Sequence, residues 1–146
     1  MKKIPLQSLL MLKPVISLAS WTVLIWLNRI VNVARDNTSS ENSLYLAIFF
    51  VCFGFTLAII GYFWSEAKIS TGILAFTIYT ISALGCLRWI YRTTTVMGQD
   101  YSIGFEAVHV GLAAGTIILS TWATIKITKT MKVENKLKLQ AIPKES

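Results

Sequence analysis

Five charged or titratable side chains lie at or just inside the outer boundary of otherwise apolar stretches of this sequence: Arg29, Arg88, Arg92, Glu106 and His109. Glu106 and His109 are three residues apart, so they share one helix face, where a carboxylate and an imidazole can pass a proton or hold a ligand. At membrane depth such a group costs roughly 1–3 kcal/mol if unpaired, depending on depth. Arg29 and Arg88 are long enough to reach out to headgroups, whereas Glu106 is short and needs a partner. The spacing predicts that Glu106 pairs with Arg88 or Arg29 and that His109 completes the hydrogen bonding. Read plainly, such a cluster is glue between helices. Read more sharply, it is a proton- or ligand-accessible site.

Other chemistries find less support. Glu-x-x-His is half of a di-iron helix motif, but that site draws carboxylates and a second histidine from neighbouring helices. The chain has one histidine, which also excludes a haem held by two histidines of one chain. No metal or other cofactor is expected. No Ser-His-Asp set, glycine-rich phosphate loop or carboxylate pair occurs. Cys52 and Cys86 form no Cys-x-x-Cys pair and read as buried small hydrophobes.

The elements that must position these groups follow from composition. Of 146 residues, 54% are hydrophobic and 14% charged, against about 25% charged in a soluble domain. Four apolar stretches cover residues 15–34, 43–64, 69–91 and 103–125. Each is long enough, at 1.5 Å per residue, to cross a hydrocarbon core about 30 Å thick. The second has no charge and no polar stripe in any register, which a soluble helix of that length would need. None shows the two-residue alternation of strands, and in lipid the backbone must satisfy itself. The expected fold is all-α: one four-helix transmembrane bundle with tails at 1–13 and 126–146. A sixty-residue shift lays Leu24, Leu27 and Ile30 on Leu84, Leu87 and Ile90, and Ala47 and Thr56 on Ala107 and Thr116. The bundle could therefore be two tandem transmembrane hairpins in a parallel repeat. Ala107, Gly111 and Gly115 form a small-xxx-small ridge that permits close helix approach.

The net charge of +7 is concentrated in the tails, at Lys2, Lys3, Lys13, Lys126, Lys129, Lys132, Lys136, Lys138 and Lys144. The loop after the first span balances Arg35 against Asp36 and Glu41, and the loop after the third sets Arg92 against Asp100. The positive-inside rule therefore predicts both termini in the cytoplasm, in a plasma (inner) membrane. Lys126, Lys129, Lys132, Lys136 and Lys138 would contact anionic lipid. With no basic patch interleaved with exposed aromatics, nucleic acid is not an expected partner. The Asn37-Thr38-Ser39 sequon would face outward and reads as chance. Lys2-Lys3 and the leucines that follow resemble a signal peptide, but Lys13-Pro14 splits the apolar run, which continues past Ala19. Leu6, Leu9, Leu10 and Lys13 instead predict a short surface helix ahead of Pro14. Tyr62, Phe63, Trp64, Trp89, Tyr91 and Tyr101 mark span boundaries.

Ser20-Trp21, Trp26 and Arg29, then Phe105, Val108-His109 and the small residues after them, carry a resemblance. They resemble a loose group of small, uncharacterised multi-pass membrane proteins of actinobacteria, hairpins with a Ser-Trp opening and a Val-His in the returning helix. The resemblance covers about half the chain. Val-His occurs only in the second hairpin, with Phe49 at the matching place in the first. It implies a membrane location and no particular chemistry.

Three functions follow in order. The first is a non-enzymatic accessory or scaffold subunit of a membrane complex, partnered by the bilayer and by other subunits or itself. The second is a small dimeric proton-coupled transporter, although Glu106 lies nearer the outer boundary than mid-membrane. The third is a lipid-modifying enzyme with Glu106 and His109 as acid and base.

Overall fold

The computed structural model describes residues 6–35 and 41–140, with side chains for 12–35 and 42–140. Lys2, Lys3, Asp36, the sequon and Lys144 lie outside the described residues. The described residues form four helices: α1 (Leu6–Arg35), α2 (Glu41–Ser65), α3 (Thr71–Met97) and α4 (Ile103–Gln140). Each is long and apolar enough to cross a membrane. The chain is an all-α, multi-pass membrane protein.

The helices pack chiefly as α1 with α2 and α3 with α4, with lighter contacts from α1 to α4 and from α2 to α3. Two antiparallel hairpins thus lie side by side, and α1 and α3 both run away from the tails. The ends they reach, away from the tails, form the far end of the bundle. Lipid gives no hydrophobic drive between helices, so close approach must supply the contact energy. In the first hairpin glycine makes this possible. A Cβ on Gly54 would lie 2.7 Å from Val23 Cγ2 and 3.1 Å from the Ala19 carbonyl oxygen, and one on Gly61 would lie 2.7 Å from Val15 Cγ1. Val15, Leu18, Leu57, Leu74, Ile78 and Ile127 fill the core toward the tails. Trp26, Ala47, Phe50 and Val51 form a second cluster toward the far end.

The structure revises several expected boundaries. α1 runs unbroken through Pro14, with no separate surface helix ahead of it. Proline removes only one helical hydrogen bond, and packing of its fully buried ring offsets the loss. α3 continues past residue 91 to Met97, so residues 98–102 alone join it to α4. α4 continues past 125 to Gln140, so 126–140, expected as tail, are helix. Cys52 faces out of the bundle and Cys86 is half-buried, so neither is a core residue.

The α2–α3 turn closes as a Schellman motif. The Lys68 N–H donates to the Phe63 carbonyl at 3.0 Å and the Ala67 N–H to the Trp64 carbonyl at 2.9 Å. This forces Ala67 to φ 57°, a place where glycine is usual. Ser70 then caps α3 by accepting from the Ile73 N–H.

Candidate functional site

An aromatic layer crosses the bundle toward the far end. Phe50 of α2 stacks on Trp26 of α1 at 4.5 Å between centroids and 7° between planes. Trp26 meets Trp89 of α3 at 6.2 Å, and Trp89 meets His109 of α4 at 6.2 Å. His109 also packs on Phe105 at 4.3 Å. The layer joins all four helices, and its centre is the contact between α1 and α3.

Beneath it the helices leave little space. The space lined by Trp21, Thr22, Gly85, Thr116, Ser120 and neighbouring apolar side chains encloses about 10 Å³, room for about one water. Trp21 Nε1 donates to Thr116 Oγ1 at 3.0 Å across α1 and α4. A Cβ on Gly115 would lie 2.4 Å from Cζ2 of the same indole.

The residues singled out in the sequence separate into distinct places. Glu106 pairs with neither Arg88 nor Arg29: among the described residues the one ion pair is Lys68–Glu66, near the other end. The cause is register. Trp89 lies beside His109, so Arg88 is level with residues near Val110 and Glu106 lies about a turn nearer the loop. Glu106 occupies the first turn of α4, where a carboxylate is stabilised by the partial positive charge of the helix N-terminus. That position accounts for it without an arginine. Nor does His109 bond to Glu106. Its Nδ1 lies 2.9 Å from the Phe105 carbonyl; a carbonyl only accepts, so this contact engages Nδ1 as donor within its own helix.

Arg29 donates from Nη2 to Ser43 Oγ at 2.8 Å, bridging α1 to α2. Arg88 reaches over the Tyr91 ring at 5.9 Å. It also lies within electrostatic reach of Arg92 and Arg29. The arginines gather at the far end, and Glu106, level with Arg92 by the same register, forms no ion pair with any of them. The ridge divides as well: Gly115 packs on Trp21, whereas Ala107 is exposed and a Cβ on Gly111 would meet nothing within 4 Å. Lys126, Lys129, Lys132, Lys136 and Lys138 are all exposed along the last turns of α4.

Some residues were missed in the sequence. Trp64 Nε1 donates to Thr71 Oγ1 at 3.0 Å, and Thr71 Oγ1 donates to Glu134 Oε1 at 2.6 Å, linking α2, α3 and α4 near the tails. Glu134 stands seven residues after the buried Ile127, a spacing that puts it on the inward face and could have revealed it. The other missed signal is a repeat. Trp26-x-x-Arg29 recurs as Trp89-x-x-Arg92, at a shift of sixty-three residues rather than sixty. Under the sixty-residue shift, the buried Ala47 falls on the exposed Ala107, and the exposed Thr56 on the buried Thr116. The sixty-three-residue shift instead superposes buried positions of α1 and α3: Val15 on Ile78, Leu18 on Ile81, Trp26 on Trp89.

Compared with protein-family models, curated proteins and solved structures, the chain matches none.

Proposed function

We propose that this multi-pass protein is a non-enzymatic accessory or scaffold subunit of a plasma-membrane complex, inserted with both termini in the cytoplasm. The small space between the helices carries the reading. Where α1, α3 and α4 meet among the described residues there is room for about one water, which favours working surfaces on the outside. The outward strip at Ala107 and Gly111 supports this, since small residues let a neighbouring helix come close. So does a groove of about 250 Å³ between α1 and α2, lined by Ala19, Ser20, Gly54 and Ala58 among larger apolar residues. The orientation rests on the lysines of α4 and the tails, by the positive-inside rule.

Purification in a mild detergent, with identification of co-purifying proteins, tests the proposal. A larger membrane partner in fixed stoichiometry is expected, and Gly111→Leu should release it while leaving the chain folded. A homodimer with no other partner would overturn the scaffold reading and favour the small dimeric transporter.

A further inference from the structure

The bundle uses two different cations at its two ends. Every lysine belongs to the tails, to the α2–α3 turn or to the tail ends of α1 and α4; all four arginines, Arg29, Arg35, Arg88 and Arg92, belong to the far end. A hydrated ammonium anchors well against a lipid surface as a point charge. A guanidinium differs: it is planar, weakly hydrated and tolerant of partial burial, and its forked donors match phosphate oxygens in pairs.

Three of these arginines share one place. Trp26 and Trp89 touch where α1 and α3 meet. One helical turn further out, on the same faces, stand Arg29 and Arg92. Arg88, next to Trp89, lies within electrostatic reach of both. All three are half-buried rather than fully in solvent. The carboxylates described at this end, Asp100 and Glu106, form no ion pair with them. Beside them the Thr93 hydroxyl is enclosed with no hydrogen-bond partner. The tryptophan pair closes the floor beneath this group.

We propose that the paired Trp-x-x-Arg motifs build a phosphate-binding site, in which Arg29 and Arg92, assisted by Arg88, hold one phosphate group above the Trp26–Trp89 contact. Arg88 feels the like charge of both Arg92 and Arg29, and a tetrahedral group with several acceptor oxygens, reached by Arg29 on leaving Ser43 and by Arg88 on leaving the Tyr91 ring, can answer all three at once. The phosphate belongs either to a phospholipid headgroup or to a free phosphate-bearing solute. The proposal does not depend on the scaffold reading or on which side of the membrane the far end faces.

The full chain, purified in a phosphate-free maltoside detergent, is titrated with inorganic phosphate and, separately, with dihexanoyl phosphatidylglycerol. Binding is read by calorimetry and by the emission of the nearby tryptophans. Saturable binding of one probe per chain is expected, weakened at least tenfold in Arg29→Gln/Arg92→Gln and unchanged in Lys126→Gln/Lys129→Gln. Binding of the phospholipid alone assigns the group to a headgroup; binding of inorganic phosphate assigns it to a free solute. Absence of saturable binding with both probes, or equal affinity in the arginine variant, overturns the proposal. Should the double variant fail to fold, Arg92→Lys keeps the charge and removes the fork. Its affinity should fall about tenfold, and an unchanged affinity would likewise overturn the site.

Discussion

The contact between Gly115 and Trp21 gives the sharpest test of how α1 and α4 meet. Replacing Gly115 with alanine puts a Cβ 2.4 Å from Cζ2, 2.9 Å from Cη2 and 3.1 Å from Cε2 of the indole. All three distances fall below ordinary van der Waals contact. The ring cannot yield cheaply, because its Nε1 is tied to Thr116 Oγ1 at 3.0 Å, one residue along the same helix. Overpacking of this kind costs about 1–3 kcal/mol. Breaking the hydrogen bond adds roughly 0.6 kcal/mol, a common figure inside membranes. Alanine returns at most about 1 kcal/mol in helix propensity, and less here because the separated helix stays helical in lipid. The net expectation is a loss of about 1–3.5 kcal/mol by these figures, read from denaturation in mixed micelles. Gly111→Ala serves as control, since nothing stands within 4 Å of its Cβ, and it should be neutral or slightly stabilising. Trp21→Phe removes the clashing atoms, so in that background Gly115→Ala should cost less than about 0.5 kcal/mol, by the non-additivity of touching residues. Equal stability of the Gly115→Ala and Gly111→Ala proteins would refute the packing argument.

The other predictions concern the tail end. Thr71→Val should cost about 1–2 kcal/mol in the same denaturation assay, because it strands the Trp64 indole N–H and removes the donor to Glu134; Glu134→Gln keeps an acceptor and should cost less. Ala67→Gly should stabilise by about 0.5–1 kcal/mol, since φ 57° suits glycine, whereas Ala67→Val should destabilise. A fluorophore on Lys129→Cys, in a background with Cys52 and Cys86 replaced by alanine, should be quenched strongly by headgroup spin labels. On Lys138→Cys, about 13 Å further along a straight helix at 1.5 Å per residue, quenching should be weak. Equal quenching would mean that the end of α4 lies along the membrane.

The four helices were legible because length and apolarity alone decide them, most plainly in α2, whose stretch from residue 43 to 64 has no charge. The candidate site was legible in its members but not in its pairing, and the reason is specific. Ending the third span at residue 91 places the hairpin's midpoint too early and sets Arg88 opposite Glu106. The helix in fact runs to Met97, because Thr93, Thr94 and Thr95 continue it: Thr94 Oγ1 and Thr95 Oγ1 both donate back to the Tyr91 carbonyl. The run of threonines looks like a loop to a hydropathy reading, yet the Thr94 and Thr95 hydroxyls are satisfied within the helix. The same slip of register hid the Trp-x-x-Arg repeat, since sixty residues aligned the leucines while sixty-three align the buried face.

The two hairpins are held by different physics. α1 and α2 meet through glycine: Gly54 and Gly61 bring backbone and Val23 or Val15 into contact, and what matters there is volume. α4 meets its neighbours through hydroxyls, with Trp21 on Thr116, Tyr79 on Thr128 at 2.8 Å and Thr71 on Glu134. In lipid such bonds add modest energy, but a slip of one residue would strand both partners without water to replace them. Close packing therefore sets how near the helices of the first hairpin come, while hydrogen bonding sets the register in which α4 sits. That register decides which groups share a level at the far end. It sets Trp89 beside His109, leaves Glu106 to the α4 N-terminus, and keeps the carboxylate a turn away from Arg88. The arrangement of the arginines is thus a consequence of threonines several turns below them.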